Sequence, residues 1–315
     1  MPLCVCSAEP WADIIPVLME DVQTCDACGA VLDGQRVPGM AEVSLLQCPC
    51  GLVTTSPRPA PAELGAYYPA TYYSYIPRPL TRKRQLLNKL RAYKGGYPAE
   101  DGLVSRTIWK TAASLLGDLF LFHLPYRGPG KRLLEVGCGT GADLVWARQQ
   151  GWDVHGLEIS ESAVEVAKKQ GLDVQCSTFE EAELTADTFD CIIMSQVLEH
   201  LYSPRVALQR CYQLLRPGGL LLIAVPKFDS WGRHALGNYW PNLLFPIHLH
   251  HFNQPVLERM VRDAGFQVRE VRLSSRFLNL FYALRTMKQF HILRRVFTRP
   301  QGTLSDVMLV VAEKS

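Results

Sequence analysis

The second half of the chain alternates short apolar runs with amphipathic stretches. Apolar runs that end at acidic or turn residues predict five strands, at Arg132–Val136, Asp153–Glu158, Asp173–Cys176, Phe189–Met194 and Leu220–Val225. Apolar residues at helical spacing predict helices that open at Ala142, Ser160 and Gln254. Strands alternating with helices through right-handed crossovers predict a mainly parallel sheet covered on both faces. Two later runs, Phe266–Val271 and Asp306–Val311, predict two further strands.

The first of these strands runs directly into a glycine-rich turn. The strand end and turn read Leu133-Leu134-Glu135-Val136-Gly137-Cys138-Gly139-Thr140-Gly141. Glycine permits a sharp turn and lets a ligand approach where a Cβ would clash. The following helix points free N–H groups at that ligand, so the turn predicts a nucleotide-type site. Because Gly137-x-Gly139-x-x-Ala142 also fits the loose dinucleotide fingerprint, the turn alone leaves NAD or FAD open.

Three further segments follow the turn in a fixed order. A second strand ends in the carboxylate of Glu158, a fourth runs into Leu198-Glu199-His200, and Leu214–Gly219 reads as a helix end and tight turn before a fifth strand. This ordered set, over about residues 131–273, resembles the class I S-adenosylmethionine-dependent methyltransferases. The resemblance implies S-adenosylmethionine as cofactor and a Rossmann-like, doubly wound, seven-stranded α/β sheet. Its implied strand order is 3-2-1-4-5-7-6, with the last strand antiparallel.

The resemblance also implies the cofactor-binding residues. Three glycines line the turn, Glu135 ends the strand beneath it, and Glu158 takes the ribose hydroxyls. The expected set is Glu135, Gly137, Gly139, Gly141, Glu158, Ile159, Thr178, Phe179, Ser195 and Gln196. The family often carries an acid near Thr178 and Phe179, where this sequence has none before Glu180.

Two histidine-bearing segments follow the fourth and fifth strands, where class I enzymes build the acceptor pocket. We expect His248 or His251, with His200 as the next candidate, to be the general base, because histidine titrates near neutral pH. The same histidines could instead be structural, and no carboxylate accompanies the second segment, which disfavours a metal there. Aromatic residues such as Tyr239 and Trp240 are expected to roof this cleft.

Six of the ten cysteines lie in the first 50 residues. Two closely spaced pairs predict one tetrahedral zinc held by Cys25, Cys28, Cys48 and Cys50. The arrangement resembles the small N-terminal zinc-binding module of some bacterial methyltransferases of sugar and glycan pathways. The second pair has one intervening residue where a ribbon normally has two. The alternative of a degenerate ribbon that folds without metal therefore remains. Cys4 and Cys6 are substitute ligands.

These features divide the chain into four segments. Residues 1–56 form the zinc-ribbon-like module, 57–79 a connector, 80–130 a helical linker and 131–315 the methyltransferase domain. The connector carries six prolines and five tyrosines, which predict an extended segment lying over the mouth of the catalytic domain. The linker predicts one helix around Leu86, Leu87 and Leu90 and a second over Ile108–Leu124, and residues 277–295 predict a basic amphipathic helix over the cleft.

The overall composition and charge limit the classes of partner and the location that we expect for this chain. The net charge of +3 is too small to imply nucleic acid, and no basic-aromatic interleaving indicates an RNA-binding face. No signal peptide or run of about 20 apolar residues is present, which predicts a cytoplasmic chain with at most peripheral membrane contact. We expect methyl transfer to oxygen or carbon of a small molecule or glycan precursor. Alternatives are a protein or nucleic-acid methyltransferase, a non-catalytic cofactor-binding scaffold, and a nicotinamide oxidoreductase.

Overall fold

The computed structural model describes residues 18–32, 36–37, 44–68, 74–77, 81–98, 102–115, 123–274 and 306–315. The strands are β1 Met19–Glu20, β2 Arg36–Val37, β3 Ser44–Gln47, β4 Val53–Ser56, β5 Arg58–Pro59, β6 Arg132–Val136, β7 Asp153–Glu158, β8 Asp173–Cys176, β9 Phe189–Ser195, β10 Leu215–Pro226, β11 His250–His251, β12 Phe266–Ser274 and β13 Val307–Lys314. The helices are α1 Arg82–Gly95, α2 Leu103–Leu115, α3 Ala142–Gln149, α4 Glu161–Lys169, α5 Pro204–Leu214, α6 Trp231–Leu236 and α7 Gln254–Asp263. Cys4, Cys6 and the segment 277–295 lie outside the described residues.

Seven strands form one sheet in the order β8-β7-β6-β9-β10-β13-β12. Neighbours from β8 to β10 pair in parallel, whereas β13 runs antiparallel to both β10 and β12. Numbered along the chain, the order is 3-2-1-4-5-7-6 with the last strand antiparallel. The predicted Rossmann-like fold is therefore confirmed.

Strand β6 is buried on both faces of this sheet. Leu134 and Val136 enter one hydrophobic core, and Leu133 enters the core on the opposite face. A strand covered on both faces loses the usual alternation of apolar and polar residues, which explains the continuous apolar run in the sequence. Full burial of each such side chain contributes about 1.5–3 kcal/mol. These two cores hold the carboxyl end of β6, and hence the glycine turn, in place.

Several element ends differ from the predictions for local reasons. Strand β10 begins at Leu215 rather than Leu220, because Leu215 pairs with Phe189 and the register shifts before Leu220. Helix α2 begins at Leu103, and residues 123–128 are not helical, so the predicted helix end at Leu124 is wrong. Leu124 is buried against the central sheet instead, and burial there outweighs its helical spacing.

A second, four-stranded sheet joins the cysteine module to the histidine-rich segment. Its order is β11-β4-β3-β2, and His250 and His251 pair with Thr54 and Val53. Trp240 packs in a cluster with Leu45, Val53, Leu236 and Leu243. The expected roof role of Trp240 is therefore wrong, because its indole fills this shared core at 2% exposure.

The described helices include none that combines the length and the apolar character required to cross a bilayer.

Candidate functional site

The glycine turn after β6 adopts backbone conformations that favour glycine. Gly137, Gly139 and Gly141 have φ values of 67°, 54° and 77°. A Cβ at Gly137 would lie 2.7 Å from Val197 Cγ2, and one at Gly139 would lie 2.6 Å from the Ser74 carbonyl oxygen. Both the strained φ and the close neighbours therefore require glycine at these two positions.

Glu158, at the end of β7, is held in place by three backbone donors. Its Oε2 accepts from the Gly139 N–H at 2.8 Å, and its Oε1 accepts from the N–H groups of Ile159 and Ser160 at 2.9 and 3.0 Å. An ionised carboxylate offers about four accepting positions, so one position on Oε2 is left for a ligand hydroxyl. The Ile159 side chain beside it is 47% exposed and offers an apolar surface next to that hydroxyl position.

The remaining expected cofactor residues near β6 and β9 lie at the carboxyl end of the sheet. Glu135 is buried near the end of β6, and Ser195 is the exposed last residue of β9. Gln196 has a φ of 60°, and both its N–H and its side-chain Nε2 donate to the Ala224 carbonyl. The Gln196 amide thus fixes the loop after β9 to β10.

Thr178 and Phe179 have local roles in the structure. The Thr178 hydroxyl accepts from the Glu181 N–H at 3.2 Å and donates to the Glu181 carboxylate at 2.9 Å. Phe179 is 3% exposed in the core, with the Arg210 guanidinium 5.1 Å from its ring centroid. Any cofactor contact at these two residues would therefore use their backbone.

Ser74, in the described part of the connector, lies directly on the glycine turn. The Thr140 N–H donates to the Ser74 carbonyl at 3.3 Å. Burial, together with the neighbouring charge of Glu158, raises the pKa of the Tyr75 hydroxyl above its ordinary value. Sequence reasoning placed the connector over the mouth of the domain but did not single out Ser74 and Tyr75, because nothing in the sequence pairs them with the turn.

His200, His248 and Glu199 form a buried cluster just beyond β9. The two imidazole rings lie 4.6 Å apart between centroids, and one potential ligand atom from each of the three residues lies within 4.8 Å of the others. Burial lowers the pKa of His200 to about 4 and raises that of Glu199 to about 8. Burial and the neighbouring histidines also lower the pKa of His248 well below its ordinary value. The expectation that no carboxylate accompanies His248 is wrong, since the fold supplies Glu199.

His251 belongs to a different environment. The Thr55 hydroxyl donates to the His248 carbonyl at 2.8 Å and lies 3.2 Å from His251 Nε2. Because the hydroxyl hydrogen is used on that carbonyl, His251 Nε2 must be the donor to Thr55 Oγ1. Burial lowers the pKa of His251 to about 3. The structure therefore brings His200 and His248 together and holds His251 against the cysteine module.

The four predicted zinc ligands converge in the module. Cys25 and Cys50 have sulfurs 3.5 Å apart, as do Cys28 and Cys48, and all four sulfurs lie within 4.8 Å of one another. Tetrahedral zinc with bonds near ~2.3 Å needs sulfurs about 3.8 Å apart, so the four residues fit the metal. The one-residue spacing is accommodated by a tight turn in which the Gly51 N–H donates to the Cys48 carbonyl at 2.7 Å.

Comparison with known proteins agrees with this geometry. The family model described as "Methyltransferase domain" matches residues 108–271, about half of the chain. A protein named "Probable S-adenosylmethionine-dependent methyltransferase" from Mycolicibacterium smegmatis is 31% identical over 154 residues, which are 47% of this chain and 56% of that protein. A "Ubiquinone biosynthesis O-methyltransferase" from Alkalilimnicola ehrlichii is 30% identical over 171 residues, 49% of this chain and 68% of that protein.

The matched regions cover between about half and two thirds of these relatives' own length. Among solved structures, an S-adenosylmethionine-dependent methyltransferase from Mesorhizobium loti aligns with a TM-score of 0.45 and 18% identity, covering 68% of this chain and 100% of that one. The family match, the strand order and the glycine turn agree. The chain belongs to the methyltransferase domain family, with the class I S-adenosylmethionine-dependent fold.

Proposed function

We propose that the protein transfers a methyl group from S-adenosylmethionine to an oxygen or carbon atom of a small molecule, with a sugar or glycan precursor as the preferred class. The small-molecule part is supported by relatives named ubiquinone biosynthesis O-methyltransferases. The sugar or glycan part rests on the resemblance of the cysteine module to those of glycan-pathway enzymes. The reduced thiols that such a module needs favour the cytoplasm.

One observation carries the proposal. The cofactor turn follows β6, the Glu199–His200 pair of the cluster follows β9, and these two strands pair in parallel, so both lie at the same edge of the sheet. Val197 contacts the turn at Gly137 and precedes Glu199 by two residues. Ligands of open α/β sheets bind at this edge. A cofactor in the turn would thus present its methyl group toward the side chains of this cluster.

The residues support methyl transfer mainly by positioning. The glycine turn and the α3 N-terminus would hold the cofactor, and Glu158 would accept a hydrogen bond from a ribose hydroxyl through its remaining position. The sulfonium is already activated, so the protein aligns the acceptor in line with the methyl group and excludes water. The connector over the turn and the buried cluster supply that exclusion. His200 and His248 are neutral at pH 7 and can face the acceptor through an unprotonated nitrogen.

We further propose that Cys25, Cys28, Cys48 and Cys50 hold one structural zinc. A site with four sulfur ligands is closed and leaves no position for a substrate. Its effect on methyl transfer would be indirect, through the β4–β11 pairing that holds the histidine-rich segment. Metal analysis of the protein purified without chelator tests this, and less than a tenth of an equivalent with an intact fold would contradict it.

Calorimetric titration tests the cofactor assignment. The chain should bind S-adenosylmethionine and S-adenosylhomocysteine, and Gly139→Ala should abolish binding because its Cβ would meet the Ser74 carbonyl. Gly102→Ala is the matched control, since a Cβ there has nothing within 4 Å. Binding of NAD without S-adenosylmethionine would contradict the assignment.

Turnover with methyl-labelled cofactor tests the acceptor class. A panel of phenols, sugar nucleotides, lipid-linked precursors, peptides and RNA should show label transfer to a small molecule. Transfer to peptide or RNA alone would favour a macromolecular methyltransferase, and cofactor binding without any transfer would favour a scaffold.

A further inference from the structure

The cluster beyond β9 has the composition and arrangement of a metal site. Glu199 and His200 lie in the short 3₁₀ turn Leu198–His200, and His248 comes from the loop before β11. One potential ligand atom from each residue lies within 4.8 Å of the other two. Glu199 and His248 are buried, whereas His200 is partly exposed. The fold thus places a carboxylate and two imidazoles around one point.

The hydrogen bonds of the two histidines assign the lone pair of each ring to Nε2. His248 Nδ1 lies 2.8 Å from the Asn242 carbonyl oxygen, and His200 Nδ1 lies 2.8 Å from the Ile247 carbonyl oxygen. A carbonyl only accepts, so each Nδ1 carries the hydrogen and each Nε2 carries a lone pair. Metal-ligating histidines show the same arrangement, with the second ring nitrogen donating to a backbone carbonyl or a carboxylate.

Among the described residues, none gives the Glu199 carboxylate a hydrogen bond that would explain its burial. The residue is 1% exposed, and neither Oε1 nor Oε2 has a hydrogen-bond partner within the part of the chain that the structure describes. A buried carboxyl without partners is costly, and native proteins keep one only where something else satisfies it. A cation bound between Glu199 and the two histidines would satisfy it.

We propose that Glu199, His200 and His248 form a second metal site, which takes one divalent transition-metal cation such as Mn²⁺, Fe²⁺ or Zn²⁺. Two imidazoles favour these cations over Mg²⁺ and Ca²⁺, which prefer oxygen ligands throughout. Three protein ligands leave coordination positions open, as in catalytic rather than structural sites.

The role of the cation rests on the proposed function, although the site itself does not. An acceptor hydroxyl oxygen bound to the cation has a lowered pKa, so its proton leaves to water. The oxygen then forms its bond to the methyl carbon as the carbon–sulfur bond of S-adenosylmethionine breaks, and S-adenosylhomocysteine leaves. The site therefore selects acceptors whose methylated atom is an ionisable oxygen, such as a phenol or an enol.

The decisive experiment counts metal on the full chain. Wild type, Glu199→Gln and the matched surface control Glu180→Gln are dialysed against excess MnCl₂ and analysed for Mn, Fe and Zn together. Wild type and Glu180→Gln should hold one equivalent more of total metal than Glu199→Gln, and zinc on the cysteines cancels in this difference. Equal metal content in wild type and Glu199→Gln overturns the proposal.

Two further measurements keep the test valid if Glu199→Gln does not fold. His248→Gln should lose the same single equivalent, and electron paramagnetic resonance of the wild type should show Mn²⁺ held by nitrogen and oxygen ligands. A wild type with neither bound Mn²⁺ nor any metal beyond the cysteine site overturns the proposal. If the extra equivalent is present but no acceptor turns over, the proposed function fails and the metal site stands.

Discussion

The two clusters of potential metal ligands differ in ligand count and in position. The cysteine cluster has four sulfurs within 4.8 Å of one another, far along the chain from the cofactor turn. The Glu199–His200–His248 cluster has three ligands and begins two residues after Val197, which contacts that turn. Four ligands complete a tetrahedral shell, whereas three leave room for a substrate. Ligand count and position therefore distinguish a cluster suited to a structural metal from a cluster suited to take part in chemistry.

The two clusters are also physically connected. Strand β4 of the module pairs with β11, and Asp26, between Cys25 and Cys28, has its Oδ2 3.4 Å from His250 Nε2. His250 follows His248 by two residues. Loss of the cysteine site should therefore disturb the histidine cluster.

The largest effect is expected from Cys48→Ser. Removing one of the four proposed zinc ligands should lower the free energy of unfolding by more than about 3 kcal/mol, because metal binding and folding of such modules are coupled. The melting temperature, the metal content and the turnover rate should all decrease. Cys176→Ser is the control, an exposed cysteine outside the cluster. Metal loss with full turnover would show that the two clusters are independent.

The next effect separates two histidines of the same segment. His248→Ala should lower turnover by about 10²–10⁴-fold, the usual cost of losing a group that acts on the acceptor. His251→Ala should instead lower the free energy of unfolding by about 1–3 kcal/mol, because it leaves Thr55 without its donor. Steady-state kinetics and chemical denaturation of both variants make this comparison. The reverse assignment of effects would place His251 in the acceptor site.

A smaller effect should come from the cofactor side. Glu158→Ala should weaken S-adenosylmethionine binding by about 1–3 kcal/mol, or roughly 5–150-fold, since it removes an acceptor and releases the Gly139 N–H. Calorimetry measures the change, with Glu161→Ala, an exposed acid in the first turn of α4, as control. Unchanged affinity would place the ribose elsewhere.

The smallest effect is expected from Tyr68→Phe. The Tyr68 hydroxyl lies 3.0 Å from His200 Nδ1, which also donates to the Ile247 carbonyl. Loss of one of two partners should cost about 0.5–1.5 kcal/mol, so turnover should fall by about 2–10-fold. Tyr67→Phe is the neighbouring control. A loss as large as that of His248→Ala would make the Tyr68 hydroxyl a direct participant in the reaction.

The sequence predicted the fold and the cofactor turn well, for a physical reason. Short runs of residues, through their types and spacing, determine the strand order, the glycine turn, the Ser160 N-cap and the cysteine pairs. Ser160 Oγ does accept from the Ala163 N–H at the start of α4. Local patterns of this kind can be recognised from the sequence alone.

The proposed acceptor side was harder to predict because residues far apart in the sequence form it. Nothing in the sequence relates Glu199 to His248, 49 positions later, and the Leu-Glu-His run alone does not show that the carboxylate is buried without a partner. Trp240 was assigned to a roof because an exposed aromatic and a buried one look the same in sequence. The pairing of β4 with β11 and the packing of Trp240 against Leu45 and Val53 place this segment against the module.

A structure of the protein with S-adenosylhomocysteine bound tests the central claim most directly. The ribose should hydrogen-bond to Glu158 Oε2, and the sulfur should face the pocket formed by Glu199, His200 and His248. A bound cofactor product whose ribose does not reach Glu158, or whose sulfur points away from that cluster, would contradict the account.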